Sequence, residues 1–423
     1  MVIAMIKKEN KEVVINGLDH YGRGIARIEN KIVFIPNSLP GEVVETKITY
    51  IKKNYMEGQV VKIINKSKSR IELKCPCFEE CGGCDLMHMQ YKDQLLYKET
   101  KVKEIVNKFT NIDISCVSNI VMSDDEFNYR NKVSFQINDK IGFYKKKSYE
   151  IIDVDYCLIS DDSINEIMLT IKENISFENI KQIVIRSSKY EKDTMVIFNV
   201  IGKIDEKKII EVLNKDVTSI IVKENDNYRV IAGNDHIVDK IGELKFIISP
   251  DSFFQVNTRQ AKRLYDIVLE LSQLQGTENI LDLYCGTGTI GLYLHKHCKE
   301  VLGIEVNKHA IEDAFKNMKL NNISNINFMC GDVGKVLDNV IFKPDLVIVD
   351  PPRSGLDKKT INYLFKSKPQ KIIYVSCDPV TLARDLNIME ENYLIKEIVP
   401  VDMFANTYHV ECVVLMSRVE NQP

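Results

Sequence analysis

The pattern of apolar and polar positions changes character twice along the chain. Between Val13 and Ile64 it is short and strand-like, in the runs Val13–Leu18, Gly24–Ile28, Lys31–Ile35, Val43–Ile51 and Gln59–Ile64. Glu29-Asn30 and the loop Pro36-Asn-Ser-Leu-Pro-Gly41 punctuate them, so the segment predicts five short β-strands joined by turns. Residues 92–108 switch to helical spacing, with Leu95, Leu96, Val102, Ile105 and Val106 on one side. From 120 to 245, strand-like runs (Lys132–Ile137, Gln182–Ile185, Thr194–Val200) alternate with turns, which predicts a mixed α+β block. From about residue 246 strand and helix alternate. Ile280–Tyr284, Val301–Glu305, Leu346–Asp350 and Lys371–Ser376 are apolar runs of buried-strand type. In Thr258–Leu274, Ala261, Leu264, Tyr265, Val268 and Leu271 keep helical spacing behind Thr258 as the expected N-cap. This alternation predicts a Rossmann-like α/β sheet of parallel strands, with sites at their carboxyl ends.

The expected chain is thus multi-domain α/β: a barrel over 1–66, a central α+β domain over 67–245 and an α/β domain over 246–423. Composition agrees with folded domains. The 423 residues are 44% hydrophobic and 28% charged, with 11 Pro and 19 Gly, which excludes a disordered or collagenous chain. The net charge of −3 argues against a nucleic-acid binder taken whole. Residues 1–70, however, carry 13 Lys/Arg against 7 Asp/Glu, a net of +6 that leaves −9 for the rest. Five short strands suit a closed barrel of the OB type, a surface that commonly holds oligonucleotides. Lys62, Lys66, Lys68 and Arg70 cluster at its exit. No run of about 18 apolar residues suggests a membrane span. The apolar start Met1–Ile6 precedes Lys7-Lys8, the wrong order for a secretory signal. Eleven Cys, an odd number, read as cytoplasmic thiols, metal ligands or a nucleophile rather than a disulfide set.

Three stretches carry candidate chemistry. Leu281-Asp-Leu-Tyr-Cys-Gly-Thr-Gly-Thr-Ile-Gly291 ends one strand and opens a helix. Its glycines let the backbone turn tightly and approach a ligand. Glu305 ends the next strand, 23 residues after Asp282, where a carboxylate can accept ribose hydroxyls. Asp332 follows the third strand-like run. Asp350-Pro-Pro-Arg353 follows another strand, in a form that also resembles base-amine methyltransferases. Cys377 sits at a strand end in Tyr374-Val-Ser-Cys-Asp-Pro379, and Glu411 lies in His409-Val-Glu-Cys412. A thiol plus a carboxylate is what carbon methylation of uracil requires. A thiolate adds at C6 to make C5 nucleophilic, and a base then removes the C5 proton; amine methylation needs neither. The bland alternatives are a small buried hydrophobe for Cys377 and a surface carboxylate for Glu411. Finally, Cys75, Cys77, Cys81 and Cys84 fall within ten residues, which predicts a metal site. Zinc sites usually show two paired spacings, whereas three local thiolates and a remote fourth also suit an iron–sulfur cluster.

The amino-terminal segment resembles the TRAM domain, an RNA-binding barrel, through Gly17-Leu-Asp-His-Tyr-Gly-Arg-Gly-Ile-Ala26, Val33-Phe-Ile-Pro36, Leu39-Pro-Gly-Glu42 and Lys52-Lys-Asn-Tyr55. The carboxyl-terminal third resembles the RNA uracil-5 methyltransferases. It does so through Phe253-Phe-Gln-Val-Asn257, Leu281–Gly291, Asp350-Pro-Pro-Arg-Ser-Gly355, Val375–Asp385 and His409-Val-Glu-Cys412. The resemblance implies Cys377 as nucleophile and Glu411 as base. It implies S-adenosylmethionine contacts from Gln255, Tyr284, Glu305 and Asp332, with Asp350 beside cofactor and target base. It implies RNA contact from Tyr129-Arg-Asn-Lys132, and a [4Fe–4S] cluster on Cys75, Cys81, Cys84 and Cys157, with Cys77 outside the pattern. The domain set resembles members acting on 23S ribosomal RNA more than transfer-RNA members. The expectation is a monomeric cytoplasmic enzyme that makes 5-methyluridine in structured RNA; the competing classes are a base-amine methyltransferase and a non-catalytic RNA-binding protein.

Overall fold

The computed structural model describes residues 10–337 and 340–419; the apolar start Met1–Ile6 lies outside them. The first block is a six-stranded sheet built from Lys11–Val14, Gly17–Leu18, Gly24–Ile28, Lys31–Ile35, Val43–Ile51 and Tyr55–Asn65. The expected run Val13–Leu18 divides in two for a reason that closes the sheet. Its first part pairs with Val43–Ile51 and its second with Gly24–Ile28. At the break, the Ile15 N–H donates to Glu42 and the Asn16 N–H to Ile25. One bent stretch therefore joins both edges of the sheet. Register shifts along Val43–Ile51 and Tyr55–Asn65 supply curvature, and Ile15, Ala26, Val33, Ile35 and Val44 fill the interior.

The central block is a seven-stranded mixed sheet. Phe135, Ile183, Val196 and Phe198 pack against Ile164 and Met168 of the helix Asp162–Asn174 and Ile209 of the helix Glu206–Leu213. The hairpin Ile237–Ile241/Leu244–Ile248 instead shares a core with the helix Thr258–Ser272 and the third block. That helix is capped by Asn257, whose side chain accepts from the Gln260 N–H at 3.2 Å. Thr258, the expected cap, is engaged elsewhere, its hydroxyl donating to Asp239 at 2.9 Å.

The third block is a seven-stranded sheet in the order Ile326–Cys330, Glu300–Glu305, Asn279–Leu283, Leu346–Val349, Lys371–Ser376, Glu411–Arg418, Tyr393–Val401. The first five strands, the four expected ones among them, are parallel, and Glu411–Arg418, which was not among the expected strands, runs antiparallel to both its neighbours. A parallel crossover needs about a dozen residues or more, and residues 402–410 are too few.

The helix Tyr91–Phe109 packs on this sheet, with Val102 and Val106 in one core with Leu382, Leu386 and Ile398. Its buried face is rotated from the expected one: Leu96 is 62% exposed, while Gln94, Lys98 and Lys101 are buried. Their polar ends are satisfied by the loop before Glu411. Lys98 Nζ pairs with Asp402 at 2.5 Å, the Asn406 N–H donates to Gln94 Oε1 at 2.9 Å, and Lys101 Nζ donates to the Tyr408 carbonyl at 2.9 Å. Among the described residues no helix is long and apolar enough to cross a membrane.

Candidate active site

The strand ends gather the candidate residues. Tyr284, Asp350 and Cys377 each follow the last residue of a parallel strand, Glu305 ends one, and Asp332 lies two residues beyond another. The antiparallel strand Glu411–Arg418 runs the other way and starts where its neighbours stop, with Cys412 opposite Ser376. The strand reversal that sequence pattern missed is thus what brings Glu411 to the same edge as Cys377. Ligands of α/β sheets bind outside this edge.

On one side of the edge lies a backbone cradle. Tyr284, Gly286 and Gly288 all have positive φ. A Cβ on Gly288 would lie 2.7 Å from the Phe328 ring, so only glycine fits. Buried Asp282 ties the cradle down by accepting from the Gly291 N–H at 3.1 Å. Burial pushes its carboxyl up to about 7, and the carboxylates of Asp350 and Glu305 add to that. Glu305 accepts from the N–H groups of Gly286 at 3.2 Å and Asn307 at 2.8 Å, one on each oxygen, which leaves lone pairs for two further donors. Tyr284 shares a hydrogen bond with Thr360 at 3.1 Å. Asp332 is exposed at the start of the helix Val333–Val336 and faces Lys335 at 3.7 Å. Gln255 comes from the segment before the helix Thr258–Ser272 rather than from a strand end. Its carbonyl accepts from Asn131 at 3.0 Å, and it lines a cavity of about 630 Å³ with Arg130, Lys132, Arg353 and His409.

Cys377 is half-buried in a turn fixed by Asp378, whose carboxylate accepts from the N–H groups of Val380 and Thr381 at 2.9 and 3.0 Å. Burial pushes the Cys377 thiol up to about 11; the charges of Glu411 and Asp350 act in the same direction and Arg353 opposes them. Burial likewise raises Glu411 to about 8 and Asp350 to about 7. Three acids within electrostatic reach of one another therefore share a poorly solvated site, and each is more easily ionised when a cation is brought in. The loop after Asp350 is held by Asp385, which accepts from the Leu356 N–H and the Tyr374 hydroxyl, both at 2.8 Å. Gly355 permits that approach, since a Cβ there would lie 2.4 Å from Asp385. Asp385, Arg353 and His409 were not among the expected site residues. The available signal was a carboxylate at position 385 on the apolar face of Leu382 and Leu386.

Cys75, Cys77, Cys81, Cys84 and Cys157 also line this cavity. Asn165 clamps the Cys157 backbone by accepting from its N–H at 2.8 Å and donating to its carbonyl at 3.2 Å. Burial pushes up the thiols of Cys75, Cys81 and Cys84, Cys81 to about 11, and the neighbouring thiols add to it. Such a set loses its protons only to a bound cation, so its chemistry fits a metal group. Among the described residues no three His, Cys, Asp or Glu side chains are already drawn to metal-holding distance.

A carboxyl-edge glycine cradle with an acidic partner on the next strand suits a nucleoside-type cofactor, in a chain that also carries a basic barrel. Known proteins specify it further. The family model for tRNA (uracil-5-)-methyltransferase matches residues 90–332 and 334–419, and that for the TRAM domain matches residues 8–61. The chain belongs to this methyltransferase family. An RNA methyltransferase of Clostridium tetani, described as uncharacterized, is 37% identical, with 98% of each chain covered. One from Halalkalibacterium halodurans is 36% identical, with 97% of each chain covered. The structure of the Pyrococcus abyssi tRNA (uracil-54, C5)-methyltransferase in complex with S-adenosyl-L-homocysteine matches with a TM-score of 0.80 at 31% identity. It covers 96% of this chain and 99% of that one.

Proposed function

We propose that the enzyme methylates C5 of a uridine in RNA through a covalent adduct on Cys377. The observation that carries this is the placement of a thiol and a raised carboxyl, Cys377 and Glu411, at one sheet edge. Deprotonated Cys377 Sγ adds to C6 of the ring, and the electrons of the C5–C6 double bond pass to O4 as an enolate. Bound S-adenosylmethionine supplies an electrophilic methyl group on a sulfonium, and Gln255, Tyr284, Glu305, Asp332 and Asp350 would hold it. The enolate carbon C5 takes the methyl group as the S–CH3 bond breaks, its electron pair staying on sulfur so that neutral S-adenosylhomocysteine leaves. The Glu411 carboxylate then takes the C5 proton, the double bond re-forms, and the Cys377 thiolate leaves. The uridine must leave its stack to reach this edge, and Arg130 and Lys132 line the cavity it would enter. With Glu411→Gln the adduct forms and does not resolve. A denaturant-resistant RNA–protein band is therefore expected with Glu411→Gln and absent with Cys377→Ala; no band with Glu411→Gln contradicts the assignment.

Cys75, Cys81, Cys84 and Cys157 would hold a [4Fe–4S] cluster that ties residues 75–84 to residue 157. The support is their shared cavity and the raised thiols of Cys75, Cys81 and Cys84. Anaerobically purified protein should be brown and contain iron and sulfide; stoichiometric zinc contradicts this. The substrate proposed from the domain set is 23S ribosomal RNA, met by a monomer. Transfer RNA is a second reading, favoured by the Pyrococcus abyssi match. That match spans 96% of this chain, so it must include the barrel, and the barrel alone does not separate the two RNAs. Methyl transfer to 23S fragments against tRNA transcripts does.

A further inference from the structure

We propose that a ladder of aromatic rings and cations on the barrel is a track for unpaired RNA nucleotides that leads to the cavity lined by Arg130, Lys132, Arg353 and His409. The proposal rests on the RNA reading above and names the form of RNA that the barrel takes. The ladder starts where Val43–Ile51 and Tyr55–Asn65 meet, with Lys52 Nζ 5.7 Å from the Tyr50 ring centre and 5.4 Å from that of Tyr55. Tyr55 meets Phe34 edge-on at 5.7 Å. The Arg23 guanidinium lies 4.5 Å over Phe34 and 5.4 Å from Tyr21. Tyr21 then crosses out of the barrel to meet Tyr408 edge-on at 5.5 Å. Tyr408 lies 4.2 Å from His409, and His409 lines the cavity with Gln255 and Arg353.

Two features separate this from ordinary cross-strand pairing, which also places rings side by side on a sheet. Two of the ladder's rings are wet, with Tyr21 51% and Tyr50 47% exposed. The step from Tyr21 to Tyr408 also runs from one domain to another, onto the segment that carries Glu411. The track is fixed in place. Tyr97, on the helix Tyr91–Phe109, donates to the Asp19 carbonyl at 2.7 Å, and Asp19 holds Arg23 by its edge at 2.7 Å. Arg23 is thus largely neutralised and presents a flat face, whereas Lys52 presents charge. Exposed rings with interleaved cations suit bases whose faces are open; a duplex hides those faces within its stack.

The test uses the full-length protein and a labelled single-stranded RNA of about 12 nucleotides, alone or annealed to its complement. Tyr21→Leu should weaken binding of the single strand about tenfold, and Tyr21→Trp should restore it. Tyr21→Leu should leave the salt dependence unchanged, since no cation is lost, while Lys52→Ala should lower its slope by about one. The melting temperature should not move in either variant, and with RNA substrate KM should rise while kcat holds. Unchanged single-strand affinity in the double variant Tyr21→Leu/Tyr50→Leu overturns the proposal, as does equal affinity for duplex. A wild-type protein that fails to methylate uridine C5 sinks the catalytic reading and leaves this affinity test standing.

Discussion

Glu411 illustrates how one residue records its surroundings. Its carboxyl is raised from 4.5 to about 8, chiefly by burial and next by the charge of Asp350. A group that holds its proton more tightly when folded stabilises the fold fully below the unfolded pKa and loses that contribution as pH rises through the folded one. Wild-type stability should therefore fall between about pH 4.5 and 8 relative to Glu411→Gln, whose side chain stays neutral. Denaturant titrations of both proteins across this window check the sign; parallel curves contradict it. At this scale the sequence was legible where a motif places a residue at a strand end, as with Cys377 after Lys371–Ser376. It was not legible where a residue works through a partner far along the chain. Asp385 and Lys98 each lie on an apolar helix face, and nothing local tells that Tyr374 or Asp402 waits opposite them.

At the scale of elements, periodicity located strands and helices well but not their directions. The five parallel strands follow from alternation with helices. The reversal of Glu411–Arg418 follows from the shortness of residues 402–410 and from pairing with Lys371–Ser376, a long-range choice. That reversal sets Glu411 beside Cys377, so the least predictable strand completes the candidate site. The glycine turn was fully legible because its constraint is local. Gly288 has φ of +76° and no room beside Phe328. Gly288→Ala should both strain the backbone and displace that ring, and should weaken S-adenosylhomocysteine binding at least about tenfold, as read by calorimetry. Unchanged affinity shows that the cradle does not bind the cofactor.

At the scale of the whole molecule, the central domain and the third block share one cavity. Arg130, Lys132 and the cysteines line it from the central domain, and Arg353, Phe404, Thr407 and His409 line it from the third block. The helix Tyr91–Phe109 joins them by burying Lys98 against Asp402 on the loop that leads to Glu411. Domain order could be read from the sequence, but this convergence could not, because it depends on contacts across some 300 residues, such as Gln94 with Asn406. The net charge of −3 is compatible with RNA because the positive charge is concentrated on the barrel. The central claim, attack by Cys377 and proton removal by Glu411 at uridine C5, is tested most directly with RNA tritiated at that carbon. Wild-type protein with S-adenosylmethionine should release one tritium per methyl group transferred, and Cys377→Ala should release none. Methyl transfer with the tritium retained would contradict the account.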